Sequence, residues 1–501
     1  MYFSSTFFLF LFLPLTLILS FIVPVKYRNL VMFLVSFFYY FWSENWYILV
    51  LLASAVLDYI CGLIIAGGMG NRNLLGRLDK GGQRTKTQKA ALIASIIINL
   101  TILGFFKYTN FGIKNYNLMM DVLGLEKFQW NTMVKILLPL GISFYTFQSM
   151  SYTFDVYLGN TEATRNILNY STFIIMFPQL VAGPIVRYKD VARELVHRIV
   201  TRDDFACGVR RFVVGLGKKV IISNTLAEVV NAVFDIPFSQ LTTGLSWLGA
   251  FCFSLQIYYD FSGYSDMAIG LGRMFGFKFK ENFRYPFIST SASEYFQRWH
   301  ISLNTWLRDY PYRAMGGSRG KAFRVYFNLI MLLIMVGLWH GASWTFIFWG
   351  FYCGILLAIQ RYQIRNDKKI RIWHPAKVVL SFVIFTSTLV FFRSKSMSQA
   401  FVFLKGMLGF AWGDGIEYHA GLYLNAKIIL CMVVGYVGSL PVLPWLVSRY
   451  EKILARCGSG TAPLVEGAFV CLRLACIAAL FLASAMILAA ESHKPFIYFR
   501  F

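Results

Sequence analysis

Charge is scarce in this 501-residue sequence: 14% of its residues are Asp, Glu, Lys or Arg, where an ordinary soluble domain carries roughly 25%. So few charges cannot cover a water-facing surface of matching size, which excludes a soluble globular protein. Acids are scarcer still, 24 against 48 Lys+Arg, for a net charge of +24. In a soluble protein that excess would suggest nucleic acid. Here the cations sit in short loops between apolar runs, which is the pattern that sets membrane orientation and points away from nucleic acid. The eight cysteines contain no CxxC and no Cys/His spacing suited to zinc, so neither a disulfide framework nor a metal site is expected. No internal repeat, low-complexity tract or appended soluble domain is legible, and residues 1–501 are expected to form a single membrane-embedded domain.

What the sequence has in abundance is apolar length. The first 25 residues carry no basic residue before Lys26 and no small-residue cleavage site, and apolar sequence resumes at once; they read as a retained span. Further spans are expected at 29–43, 46–66, 90–106, 133–157, 212–233, 244–260, 325–341, 343–360, 378–392, 426–447 and 465–489. Stretches 167–184, 262–276 and 296–310 are apolar but short or broken, and read as re-entrant or interfacial. The expected fold is all-α and polytopic, with about 11–13 spans. Segment 67–89 carries six basic residues against Asp79, whereas Ser43-Glu44-Asn45 carries none. The positive-inside rule therefore places the N-terminus outside and segments 67–89, 187–219, 273–324 and 361–377 in the cytoplasm. Segment 107–135, with four lysines against two acids, reads as an outward loop.

Polar residues at apolar depth are costly and mark cavities or partners. His197, His374, His419 and His493 fall in loops or tails, but His300 and His340 lie at breaks between apolar segments. His340 sits in Gly337-Leu338-Trp339-His340-Gly341-Ala342-Ser343-Trp344. A neutral imidazole there, walled by Trp339 and Trp344, is suited to act as general base on a hydroxyl. A histidine merely bonded to a helix carbonyl would fit this segment equally well. His300 lies in Arg298-Trp299-His300-Ile301-Ser302-Leu303-Asn304-Thr305-Trp306-Leu307-Arg308-Asp309-Tyr310. Helical spacing would put His300 and Asn304 on one face and Trp299 near Trp306, on a re-entrant helix or on an ordinary amphipathic one.

Segment 273–324 holds ten basic residues against three acids. They could simply touch anionic lipid, yet Arg313, Arg319 and Lys321 flank a glycine-rich turn suited to phosphates. The clusters Gln256 to Asp266, with Asp260, and Gly141 to Gln148, with Asp155, read first as interhelical hydrogen bonding, as does Asp58.

Together these motifs resemble the membrane-bound O-acyltransferase (MBOAT) family, in the branch containing the alginate O-acetyltransferase membrane subunit. Other matching stretches are Phe3-Ser4-Ser5, Phe177 to Tyr188 and the terminal Pro495-Phe496-Ile497-Tyr498-Phe499; Arg500 stands where glutamine is expected. The resemblance implies a ring of tilted helices around a tunnel, with His340 catalytic and His300 lining the tunnel or positioning the donor. It further implies donor or tunnel contacts at Asn304, Trp299, Trp339, Arg313, Arg319, Lys321, Asp260 and Gln256. No permanent cofactor is implied; cytosolic acetyl-CoA would be the acyl donor, in the bacterial inner membrane. Membrane lipids, a polysaccharide-synthesis complex and a periplasmic SGNH-type acetyltransferase are the implied partners, and an exported polysaccharide the acceptor. Two other functions are D-alanyl transfer from a carrier-protein thioester to teichoic acid, and a non-catalytic transporter or flippase.

Overall fold

The computed structural model describes residues 2–67, 76–130, 135–367, 372–411, 413–457 and 461–490. Among them every regular element is helical. A leading group comprises α1 (Leu13–Ile22), α2 (Arg28–Glu44), α3 (Ile48–Ile65), α4 (Lys86–Val122) and α5 (Ile142–Tyr157). Short broken pieces follow: α6 (Ile167–Ile175), α7 (Phe177–Leu180) and α8 (Tyr188–Val196). The centre is α9 (Arg202–Gly217), α10 (Asn224–Phe234) and α11 (Thr243–Met274), then the short α12 (Ala292–Arg298) and α13 (Ile301–Leu307). The remainder is α14 (Ala322–His340), α15 (Trp344–Arg365), α16 (His374–Arg393), α17 (Met397–Met407), α18 (Ala426–Gly438), α19 (Val442–Leu454) and α20 (Ala462–Ala490).

Helix α11 is the hub, buried almost continuously from Leu245 to Met274. The expectation of a broken stretch at 262–276 fails, because the helix runs through it without interruption. The glycines that suggested a break instead serve contact. A Cβ on Gly263 would lie 2.8 Å from the Gly215 carbonyl oxygen, and one on Gly270 would lie 2.6 Å from that of Gly208. The converse pairs are equally close, at 2.5 Å for Gly215 and 2.7 Å for Gly208. Seven-residue spacing keeps both glycines of each helix on one face, so the two backbones touch.

Helix α4 also departs from expectation. It continues from Lys86 to Val122 under a Thr85–Gln88 capping box, so Lys107 lies within the helix rather than in an outward loop. Among the described residues five helical stretches are long and apolar enough to cross a membrane, one of them α2 and α3 together (Val25–Ile65), or six if the pair α18 and α19, bent by 64°, counts as one. Other helices, such as the 16-residue α5 and α9, are shorter than that length, and the expected all-α polytopic fold is what the chain adopts. The broken character of 167–184 and 296–310 is as expected.

The buried polar clusters bond between helices as anticipated. Asp58 of α3 accepts from Ser95 at 2.6 Å, from Asn99 at 2.8 Å and from Ser149, tying α3 to α4 and α5. Asp155 pairs with Lys189 at 2.9 Å, and Asp266 with Arg211 and Lys218 at 2.6 and 2.7 Å. Phe3 is buried and stacks on Tyr264 of α11 at 4.7 Å. The Pro495–Phe499 motif and Arg500 lie outside the described residues.

Since backbone cannot retreat as a side chain can, Gly263→Ala should lower the thermal midpoint of the detergent-solubilised protein, at a cost of about 1–3 kcal/mol. Gly244→Ala on the same helix, where a Cβ meets nothing within 4 Å, should leave the midpoint unchanged or raise it slightly.

Candidate active site

His340 is the last residue of α14, and α15 begins four residues later. The turn is tight because Gly337 and Gly350 lie where a Cβ would strike the backbone of Phe346 and Leu333. The imidazole is 7% exposed. Edge-on rings surround it: Trp339 at 4.9 Å, Phe392 at 5.1 Å and Trp349 at 5.2 Å.

A helix end leaves carbonyls without intrahelical donors, and α4 supplies donors here. The Lys107 ammonium donates to the Trp339 carbonyl and, at 3.3 Å, to that of His340, while the Tyr108 hydroxyl donates to the Leu338 carbonyl at 2.8 Å. A cation at a helix C-terminus also meets the negative end of the helix dipole. Lys107, Trp339, His340, Glu44 and the 137–144 segment wall a cavity of about 500 Å³. The Ser43–Asn45 turn forms part of the same wall.

His300 is not on a helix face with Asn304. The chain breaks between α12 and α13, and His300 occupies the left-handed region at φ 46° as the residue preceding α13. Its Nδ1 lies 3.2 Å from the Asn282 side-chain oxygen, which also accepts from the Ser302 backbone at 3.2 Å and hydroxyl at 2.8 Å. An oxygen accepting all three requires Nδ1 to be the protonated nitrogen, which leaves Nε2 as acceptor. Nε2 is buried without a partner among the described residues. The Ser302 hydroxyl also receives the Ile185 N–H at 2.9 Å, joining the Pro184-Ile185 segment to this break.

Trp339 links the two histidines, 6.3 Å ring to ring from His300 and adjacent to His340. It also stacks on Phe147 at 5.4 Å, and Phe147 stacks on Trp306 at 4.0 Å, so three rings lie in series.

The other expected contacts scatter. Trp299 turns away from Trp306 and packs on Tyr295 and Phe283 at 5.6 and 5.1 Å, because the break redirects it. The Asn304 amide donates to the Phe296 and Trp299 carbonyls, both at 2.6 Å, closing the end of α12. It also lines a cavity of about 390 Å³ with Arg308, Tyr312, Ser318 and Arg361, against the middle of α14 at Leu329, Leu332 and Leu333, roughly 10–17 Å from His340 along that helix. Arg313, Arg319 and Lys321 are exposed and line none of these cavities. Asp260, ion-paired with Lys219, and Gln256 line a further cavity of about 700 Å³. Among the described residues no group of three or more His, Cys, Asp or Glu could hold a metal ion.

A family model described as "membrane-bound O-acyltransferase family" matches residues 163–402. The chain is 39% identical over 521 residues to "Probable alginate O-acetylase AlgI" of Azotobacter vinelandii, covering all of both chains. The chain belongs to the membrane-bound O-acyltransferase family. Two more distant members are "Peptidoglycan O-acetyltransferase" of Helicobacter pylori, 33% identical over 81% of this chain and 80% of that one, and "Teichoic acid D-alanyltransferase" of Bacillus subtilis, 27% identical over 47% of this chain and 62% of that one. This O-acyltransferase thus bears out the motif resemblance, and the transporter reading lapses.

Both histidines and Asn282 fall within the segment matched to the family, whereas Glu44 and Lys107 of the same cavity precede it. Sequence reasoning passed over Lys107 because it ended the span at 106. A lone cation inside a helical run would have marked it. Asn282 carried no such signal, since only the tertiary fold brings it to His300.

Lys107→Met should leave the α14 carbonyls without their cation and let the helix end shift. Acyl-transfer turnover should fall about 10- to 100-fold, with Lys107→Arg retaining more of it than Lys107→Met. Turnover assays on both purified variants, matched for folded protein by thermal midpoint, check this.

Proposed function

We propose that this O-acyltransferase moves an acetyl group from cytosolic acetyl-CoA across the bacterial inner membrane for O-acetylation of an exported, alginate-like polysaccharide. The support is one geometric fact: a nearly buried histidine, His340, forms the wall of a cavity at one end of a spanning helix. Against the middle of that helix, at Leu329, Leu332 and Leu333, lies a cavity edged by Arg308 and Arg361, suited to a phosphate-bearing donor. The O-acetylase and O-acetyltransferase relatives named above supply the acetyl group and the polysaccharide class.

In this reading His340 takes the proton of an acceptor hydroxyl as its oxygen attacks the thioester carbonyl. The tetrahedral intermediate collapses by breaking the carbon–sulfur bond, and the coenzyme A thiolate leaves and takes up the proton. Neither a metal nor a permanently bound cofactor is required. His300, with Nδ1 held by Asn282 and Nε2 left as acceptor, helps place the donor. The exposed Arg313, Arg319 and Lys321 attract its phosphates toward the membrane from the cytosolic side. The N-terminus and the Ser43–Asn45 turn then face the periplasm, where an SGNH-type acetyltransferase receives the acetyl group and completes transfer within a polysaccharide-synthesis complex. D-alanyl transfer would use the same atoms, but the relative so named matches less than half of this chain.

His340→Ala should abolish polymer acetylation in cells while the protein still reaches the membrane at wild-type level. Undiminished acetylation in that variant would overturn the reading.

A further inference from the structure

The cavity of about 700 Å³ beside α10 and α11 has no part in the chemistry above, yet it adjoins the same α14–α15 turn as His340. Phe392 forms part of its wall and packs edge-on against the His340 ring at 5.1 Å on its other side. The lining is unusually polar for a membrane domain: amides of Asn224, Asn231 and Gln256 and hydroxyls of Ser223, Ser343 and Thr345. Gln256 is 8% exposed, and its side-chain oxygen has no hydrogen-bond partner among the described residues. A buried amide oxygen left so costs about 1–3 kcal/mol, a cost that a hydroxyl-bearing ligand would remove.

The rest of the wall narrows the ligand class. Phe346 and Phe392 meet edge to face at 4.8 Å and offer apolar surface to the C–H faces of a ring. At the rim Lys395 pairs with Asp235 at 2.6 Å, and Arg393 donates to Asn231 at 3.0 Å. Both signs of charge are therefore present, unlike the one-sided field a polyphosphate requires. The wall also holds Glu228 and the ion-paired Asp260 and Lys219, three acids and three cations in all. Dense hydroxyl partners and aromatic walls are the chemistry of a sugar, with Lys395 at the exposed rim to meet its carboxylate. The volume lies within the range of small-molecule sites.

We propose that this cavity is a saccharide subsite that holds a uronic-acid unit of the acceptor polymer beside the His340 cavity. The inference rests on the polysaccharide reading above and deepens it: the membrane chain itself, and not only a periplasmic partner, grips the polymer.

Isothermal titration of the purified full chain in detergent with a hexameric mannuronate oligosaccharide tests this. The wild-type chain should bind, and Asn231→Ala and Gln256→Leu should each weaken binding at least tenfold. Lys395→Ala, on the exposed rim where folding is not at stake, should weaken it at least threefold. His340→Ala should bind within twofold of wild type, which separates this subsite from the chemistry. Absence of binding by the wild-type chain would overturn the proposal and favour a polypeptide hydroxyl as the occupant. Unchanged binding in all three cavity variants, or loss in His340→Ala equal to that in Gln256→Leu, would also overturn it.

Discussion

Among the described residues two helix pairs touch backbone to backbone, and that contact determines where the polar residues beside them end up. Gly208 and Gly215 of α9 meet Gly270 and Gly263 of α11; Gly337 of α14 meets Phe346, and Gly350 of α15 meets Leu333. Lipid gives helices no hydrophobic reason to associate, so closeness of approach and hydrogen bonding must supply the attraction. The first pair brings Lys219 to Asp260 and Arg211 and Lys218 to Asp266. The second holds α14 and α15 so tightly that the residue between helix end and turn, His340, has one place to go.

Around those pairs, polarity is rationed by depth. Asp58 and Asp266 are each satisfied by partners from other helices, which is what an apolar solvent demands of a buried carboxylate, and Asp155 pairs through one oxygen with Lys189. Buried atoms without a partner among the described residues occur along the chain, at Ser20, Asp155 and Arg198 for example, and some lie near the two histidines. His300 keeps an unused acceptor nitrogen, Gln256 an unused carbonyl, and the Trp339 indole N–H has no acceptor among the described residues.

Much of this was legible in the sequence, and the misses have physical causes. Scarce charge and apolar length gave the helical membrane class, and histidines at apolar breaks gave His340 and His300. The break around His300 erased the expected pairing with Asn304, because helical periodicity presumes a helix that the left-handed residue ends. Glycines in 262–276 read as interruption when they mark a contact face, a distinction that needs the partner helix. Lys107 and Asn282 are distant in sequence from the histidines they support, separated from His340 and His300 by 233 and 18 positions. The cationic turn at 316–321 could be read as a phosphate site or as lipid-facing charge, because local sequence shows the cations but not the cavity they would serve.

The central claim is that the His340 imidazole does the chemistry at the end of α14. Single-turnover consumption of acetyl-CoA by the purified chain in lipid nanodiscs, with acceptor present, tests it most directly. The account predicts that His340→Ala slows this step about 10²–10⁴-fold with acetyl-CoA affinity unchanged. A rate within threefold of wild type would contradict it.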